Sequence, residues 1–285
     1  MPGGRKHAVA LTAVLTLLAT GCGGGQSSTN ASSSAAPTQP GAASPPAKAS
    51  TPALIPPPGA PPHSVRVPVL TYHRVHTMPA VGQPDLIVDP ANFAAELEAL
   101  RASGYHTIHQ SQLFDALYKG GSLPAKPIII SVDDGYVDDI RTILPDLQRM
   151  HMVAAFFVIT GRTSEPGFLS ADQIRQLDRA GMDVGDHTAH HLDLPALPSS
   201  ELRAETAGSR QALEAILGHA VYYFAYPFGA YNGNVLQAVH RAGFTLAYTT
   251  AGGITERTQA PLTMPRVHVG RAETPGGLLS LLGGT

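Results

Sequence analysis

The chain has 285 residues but one cysteine, Cys22, and no tryptophan. The lack of any thiol after residue 22 excludes a disulfide framework, a cysteine nucleophile and a cysteine-ligated zinc site from the rest of the protein. Charged residues are scarce, at 14%, and the formal net charge of −2 excludes a basic nucleic-acid-binding protein. Long apolar runs are also lacking, which excludes a multi-span membrane protein. Any aromatic platform must be built from the 9 tyrosines and 8 phenylalanines.

The N-terminus has the pattern of an export signal. Two basic residues, Arg5 and Lys6, precede an apolar run at residues 8–20, which is shorter than the roughly 20 residues that span a bilayer. The run ends in Leu-Ala-Thr-Gly-Cys, which resembles the lipobox of bacterial lipoproteins. We therefore expect residues 1–21 to be a lipoprotein signal peptide and Cys22 to carry a lipid anchor on the outer face of the cell membrane. The alternative is an ordinary secretory peptide with Cys22 near the cleavage site.

Residues 22–63 have the composition of a tether. After Cys22 they are mostly Gly, Ser, Ala, Thr and Pro, with Lys48 as the one charged residue. Such a segment buries too little apolar surface to offset the entropy lost on ordering. We expect a disordered linker there, followed by one domain at residues 64–285.

The domain alternates strand-length apolar runs with helical patterns. Asp89 and Pro90 mark the start of a helix that Gly104 ends, and Ser170 with Gln173 forms a capping box for another. A further helix is predicted from residues 199 to 218. The predicted strands are Val67–Tyr72, Tyr105–His109, Pro127–Val132, Val153–Ile159, Met182–Gly185, Tyr222–Tyr226, Phe244–Thr249 and Arg266–Val269. This alternation predicts an α/β fold with a parallel sheet, and about eight strands favour a closed or nearly closed barrel over an open sheet.

Three polar clusters follow predicted strands, where barrel folds carry their chemistry. The first is Asp133-Asp134, after the apolar run 127–130, which alone would be read as a solvated Asp-Gly turn. The second contains His187 and His191, whose spacing can direct two imidazoles at one metal. The third is the segment Phe-Ala-Tyr-Pro-Phe-Gly at residues 224–229, which is either a substrate wall or a plain strand-to-loop transition.

Together, in this order, the clusters resemble the polysaccharide deacetylases of carbohydrate esterase family 4. The resemblance begins at residues 67–75 and covers nearly all of the domain, and it is strongest to the branch of poly-N-acetylglucosamine and related cell-surface deacetylases. It implies a distorted, incomplete (β/α) barrel and metal-dependent removal of acetyl groups from N-acetylhexosamine polymers.

The resemblance also implies roles for individual residues. Asp134, His187 and His191 are the expected metal ligands, and Asp133 is the expected general base. One carboxylate and two imidazoles suit Zn²⁺, although Co²⁺ and Ni²⁺ can share such ligands. The segment Tyr226, Pro227, Phe228 and Gly229 is expected to contact substrate, with the backbone N–H of Tyr226 donating to the oxyanion.

The remaining assignments depend on single residues. His268 is the candidate general acid, by likeness to a late-strand histidine of the family, and a strand histidine that bonds a loop is the alternative. The family arginine that orients the base is replaced here by Ala225, and we predict that Arg266 takes over its pairing with Asp133. His73 follows the first strand and is a candidate substrate contact.

One family motif, Asp-x-x-Asp-Trp, is missing, since residues 249–253 read Thr-Thr-Ala-Gly-Gly. Its loss predicts a more open groove, and the substrates of the family are therefore a weaker guide to the substrate of this chain. The expected partner is an acetylated polysaccharide. An O-acetyl esterase that uses the same site and a non-catalytic glycan-binding lipoprotein remain alternatives, and the sequence indicates nothing about oligomeric state.

Overall fold

The computed structural model describes residues 56–77 and 84–283. The predicted signal peptide, Cys22 and most of the predicted tether lie outside these described residues. Within the two described ranges, every helix is too short or too polar to cross a bilayer.

Eight strands form a single curled, parallel sheet. The strands of the described residues, in chain order, are β1 Ser64–Val65, β2 Val69–Tyr72, β3 Arg74–Val75, β4 Ile87–Val88, β5 His106–Thr107, β6 Pro127–Val132, β7 Ala155–Val158, β8 Asp183–Asp186, β9 Tyr223–Ala225, β10 Leu246–Tyr248, β11 Glu256–Arg257 and β12 Val267–His268. The order of strands in the large sheet is β10-β9-β8-β7-β6-β2-β12, and β5 pairs with the start of β6. The sheet forms a half-barrel, which confirms the predicted incomplete (β/α) barrel; the closed form is not reached.

The helices pack around this sheet, and two of them begin at the predicted capping residues. The α-helices of the described residues are α1 Pro90–Ala102, α2 Gln110–Tyr118, α3 Leu144–Arg149, α4 Ala171–Arg179, α5 Ser199–Arg203, α6 Ser209–Leu217, α7 Gly233–Ala242 and α8 Pro275–Leu281. Asp89 accepts a hydrogen bond from the Ala91 N–H at the start of α1, and Ser170 forms a capping box with Gln173 at the start of α4.

The long helix predicted at residues 199–218 is interrupted. Between α5 and α6 the chain forms a π-helical turn, Ala204–Gly208, before Gly218 ends the segment with φ of +78°. A π turn inserts one extra residue into a helix, and such turns frequently occur at functional sites. The apolar periodicity of the sequence does not reveal this insertion.

Successive strand residues point to opposite faces of the sheet, as strand geometry requires. In β2 and β6, Leu70 and Ile130 belong to one hydrophobic cluster while Val69 and Ile129 belong to another. Both faces are therefore covered, which explains why β6 reads as a continuous apolar run. Because the strands are parallel, their carboxyl ends meet at one edge, and the polar clusters lie there.

Candidate active site

The carboxyl ends of the sheet strands surround a cleft of about 560 Å³. Its walls come from residues just after five of the sheet strands and from the loops between them. Nine of the lining residues are His73, Asp133, Asp134, His187, His191, Tyr226, Phe228, Thr250 and His268. The structure thus brings the three polar clusters of the sequence into one cavity.

Asp133 forms a buried ion pair with Arg266. The two terminal guanidinium nitrogens donate to the two carboxylate oxygens at 2.8 and 2.7 Å. The same guanidinium also donates to the Thr249 carbonyl and the Ser131 hydroxyl, at 3.0 and 3.2 Å. Burial alone would raise the pKa of Asp133, but the charge and hydrogen bonds of Arg266, together with the neighbouring His187 and His73, outweigh it and hold the pKa well below its usual range. Asp133 is therefore an ionised carboxylate whose two oxygens are fixed in direction.

Asp134, His187 and His191 form a compact group. Their candidate ligand atoms all lie within 4.8 Å of one another, and each His Nε2 is 3.6 Å from Asp134 Oδ1. The Nδ1–H of His187 donates to the Ala225 carbonyl at 2.7 Å, which leaves its Nε2 to face the group. An outer hydrogen bond of this kind selects the ring tautomer in metal sites.

The electrostatics of the group fit a divalent metal. Burial lowers the pKa of His187 to about 3 and also lowers that of His191, so both rings are neutral and each offers one nitrogen lone pair for coordination. Burial, and next the neighbouring Asp133, raise the pKa of Asp134 to about 7. The charges of Arg162, Arg266 and Arg74 offset this rise only in part, and a bound metal ion would supply further positive charge beside the carboxylate.

The aromatic segment lies beside this group. The Phe228 ring is 62% exposed, and its centroid is 4.7 Å from that of His191. Phe228 itself has a φ of +59°, and a side chain at the following Gly229 would collide with Thr250. Pro227, which has no N–H, is buried. The segment therefore presents an aromatic face to the cleft through a turn that needs glycine.

The prediction for the Tyr226 N–H is wrong. This N–H donates to the Tyr248 carbonyl at 3.0 Å, within the pairing that continues from β9 and β10, so it is not available to an oxyanion. The next N–H along the segment is that of Phe228, because Pro227 has none. The sequence did not distinguish the two because the register of the sheet decides which N–H is used.

His73 and His268 lie together on the side of the cleft formed by β2 and β12. Their ring centroids are 5.8 Å apart in an edge-to-face arrangement. His73 is largely buried, its Nδ1 has no hydrogen-bond partner among the described residues, and burial lowers its pKa to about 4. His268 is exposed. Both line the cleft, and the roles predicted for them remain predictions.

Sequence reasoning missed some residues of the cleft wall. Tyr136 and Arg162 line the cleft, and each takes part in a cation–π contact. The Arg74 guanidinium lies 4.5 Å from the centroid of the Tyr136 ring. The Arg162 guanidinium lies 3.8 Å from the centroid of the Phe168 ring. Arg162 follows β7, so the strand-end rule that located the other clusters could have found it. Nothing in the local sequence marks the stacking, which depends on contacts between separate loops.

Comparison with known proteins finds similarity to polysaccharide deacetylases. Residues 120–247 match the family model described as polysaccharide deacetylase. YxkH of Bacillus subtilis (strain 168) is named a putative polysaccharide deacetylase and is 26% identical to this chain over 204 residues. The matched region covers 72% of this chain and 71% of YxkH. The poly-beta-1,6-N-acetyl-D-glucosamine N-deacetylase of Escherichia coli (strain K12) is 23% identical over 73% of this chain, but the match spans only 37% of that protein.

A solved structure is similar over most of the domain. The Streptococcus pyogenes deacetylase PplD, in complex with acetate, has a TM-score of 0.72 and 28% sequence identity. The similarity covers 77% of this chain and 99% of PplD. The described domain is therefore similar in fold to a solved deacetylase.

Proposed function

We propose that this chain, whose matches support membership of the polysaccharide deacetylase family, is a metal-dependent hydrolase that removes N-acetyl groups from N-acetylhexosamine units of a cell-wall or extracellular polysaccharide. The homologues support deacetylation of polysaccharides. The amide bond and the hexosamine are our proposals. The proposed mechanism is based on one observation: the ionised Asp133 carboxylate, held by Arg266, lies next to the Asp-His-His group in a single cleft.

Asp134, His187 and His191 would hold the metal. We propose Zn²⁺, for which one carboxylate and two imidazoles are suitable donors, and Co²⁺ or Ni²⁺ would fit the same set. A bound divalent ion supplies Lewis-acid chemistry, polarising the acetyl carbonyl and lowering the pKa of water.

The chain's own residues handle the protons and the developing charge. Asp133 takes the proton of the attacking water, and Arg266 keeps the carboxylate ionised and correctly turned. His268, on the side of the cleft formed by β2 and β12, is our candidate to protonate the leaving amine. The Phe228 N–H lies in the segment that lines the cleft and is the proposed donor to the oxyanion in place of Tyr226.

The shape of the cleft supports a sugar substrate. Phe228 offers an exposed ring beside His191, and aromatic faces contribute large apolar contact area to a ligand. His73 and Gly229 are the other proposed contacts. The Escherichia coli relative is named for a polymer of N-acetylglucosamine, which supports choosing an N-acetylhexosamine.

The proposed function is tested by removing and restoring the metal. Stripping the full-length protein with a chelator should abolish acetate release from N-acetylglucosamine oligomers, and Zn²⁺ or Co²⁺ should restore it. An O-acetylated polysaccharide is assayed in parallel. Release from the ester alone would replace the amide proposal with an esterase, whereas stoichiometric metal binding with no release from either substrate would contradict a catalytic role.

We also propose that the protein is exported and anchored to the outer face of the cell membrane through a lipid on Cys22. The basic start, the short apolar run and the lipobox-like ending support this proposal. Incorporation of labelled fatty acid into the protein, abolished in Cys22→Ser, is the expected result. Equal labelling of the two proteins would contradict the anchor.

A further inference from the structure

The loop that carries both imidazoles has a backbone conformation that is unfavourable for its residues. Thr188 has a φ of +68° and His191 a φ of +57°, in the left-handed region that side-chain-bearing residues rarely adopt. Such conformations persist when surrounding contacts over-determine them, and they cluster at functional sites. The contacts that hold residues 187–191 therefore bear on how the imidazoles are directed.

One side of the loop is held by the neighbouring loop after β7. The Thr160 N–H donates to the Thr188 carbonyl at 3.0 Å, and the Gly161 N–H donates to the Ala189 carbonyl at 2.9 Å. A Cβ at residue 161 would collide with that second carbonyl. Only glycine permits this close approach.

The N–H groups of the loop are held mainly by side chains. The Thr188 N–H donates to Asp186 Oδ1 at 2.7 Å, and the His191 N–H donates to the Thr188 hydroxyl at 2.9 Å. The His190 N–H donates to Glu205 Oε2 at 2.8 Å. Of these three acceptors, Glu205 alone comes from a distant part of the chain.

Glu205 binds His190 twice. Its Oε1 is 2.6 Å from His190 Nδ1, while its Oε2 accepts from the His190 N–H, so the carboxylate spans both the ring and the backbone. Glu205 is buried, at 3% exposure, and lies in the π-helical turn between α5 and α6. The carboxylate that reaches the loop therefore comes from that turn.

The two imidazoles of the group depend on this loop to different degrees. The His187 ring is fixed directly, through its bond to the Ala225 carbonyl. The His191 ring makes edge-to-face contacts with His187 and Phe228, and its direction follows from a strained backbone one residue after His190. A contact that fixes His190 therefore acts chiefly on His191.

We propose that Glu205 is a positioning residue of the metal site: by clamping His190 it holds the loop in the conformation that directs His191 towards Asp134. The proposal rests on the proposed function, because it assumes that the Asp-His-His group binds a metal. Outer groups that orient ligands typically change metal affinity by about 10- to 100-fold when they are mutated.

The test is metal affinity, measured without substrate by titrating the full-length, metal-stripped protein with Co²⁺ and recording its visible absorption. Glu205→Ala should weaken Co²⁺ binding by about 10- to 100-fold and alter the absorption spectrum, which reports the ligand geometry. Glu205→Gln keeps one oxygen acceptor and should show a smaller loss. His190→Ala keeps the backbone bond and should also lie between wild type and Glu205→Ala.

Glu96→Gln is the matched control. Glu96 is also a buried glutamate with two side-chain donors, Tyr72 and Asn92, and it does not line the cleft. The Glu96→Gln substitution should leave the Co²⁺ affinity and the absorption spectrum unchanged, even if it lowers thermal stability. If Glu205→Ala fails to fold, the Co²⁺ affinity and absorption spectrum of Glu205→Gln decide whether Glu205 positions the metal site.

Wild-type affinity and spectrum in a folded Glu205→Gln and Glu205→Ala would overturn the positioning role. Failure of the wild-type protein to bind Co²⁺ would instead contradict the metal site itself. The two failures are therefore distinguishable in one set of titrations.

Discussion

Asp133→Asn should lower kcat by about 10³-fold, within the range of 10²–10⁴ that general-base catalysis contributes. The asparagine amide has the same shape but cannot take a proton from water. The neighbouring Asp134, His187 and His191 are unchanged, so Co²⁺ should still bind with near wild-type stoichiometry. The measurement is acetate release per metal-loaded protein at saturating substrate.

This substitution also leaves Arg266 buried without its counter-charge. Breaking a buried pair in this way costs about 3–5 kcal/mol of stability, so folding must be checked by circular dichroism at the assay temperature. Asp138→Asn is a suitable control, because Asp138 is a buried carboxylate that accepts from Arg74 at 2.8 Å and does not line the cleft. Wild-type kcat in a folded Asp133→Asn would rule out Asp133 as the base.

Arg266→Ala should affect both stability and the pH profile. It removes four hydrogen bonds from a guanidinium that is 2% exposed and leaves Asp133 as a buried, unpaired carboxylate. We expect a loss of about 3–5 kcal/mol in the free energy of unfolding, measured in urea at pH 7. Arg266→Lys keeps the charge without the planar fork and should recover only part of the loss.

The sign of the pH effect follows from the direction of the pKa shift. Arg266 holds the folded-state pKa of Asp133 below its value in the unfolded chain, so the pair stabilises the fold above the unfolded pKa, about 4. This stabilisation is lost as pH falls through the folded-state pKa. The stability gap between wild type and Arg266→Ala should therefore be largest near pH 7 and narrow as the pH falls below about 4.

Catalysis should change in the same direction. Without Arg266, burial raises the pKa of Asp133, and the base becomes protonated at a higher pH. The acid limb of the kcat profile should then move to higher pH in Arg266→Ala. Full turnover with an unchanged profile would show that Arg266 does not orient or ionise the base.

The fold was largely predictable because its signals are local. All eight predicted strands occur in the large sheet, and the caps at Asp89 and Ser170 form as expected. Buried strands give apolar runs and helix starts need particular side chains, so each can be read within a few residues. The two-residue strands β1, β3, β4 and β11 carry no such pattern and were not predicted.

The site was predictable only in part. Residues that follow strands could be located, and the proximity of Asp134, His187 and His191 follows from parallel strands ending at one edge. The use of the Tyr226 N–H in the sheet and the clamp of Glu205 on His190 depend on register and on a π turn. Both arise from tertiary contacts between segments whose local sequences carry no pattern that predicts the contact.

The pairing of β12 with β2 also has a consequence for the order of events during synthesis. Val267 lies beside Leu70, and His268 lies beside Thr71. A nascent chain has made its first sheet strand long before this neighbour leaves the ribosome, and contacts so distant in sequence form slowly. Arg266 arrives with the same late strand. The buried pair around Asp133 is therefore completed only after the last strand of the sheet has been synthesised.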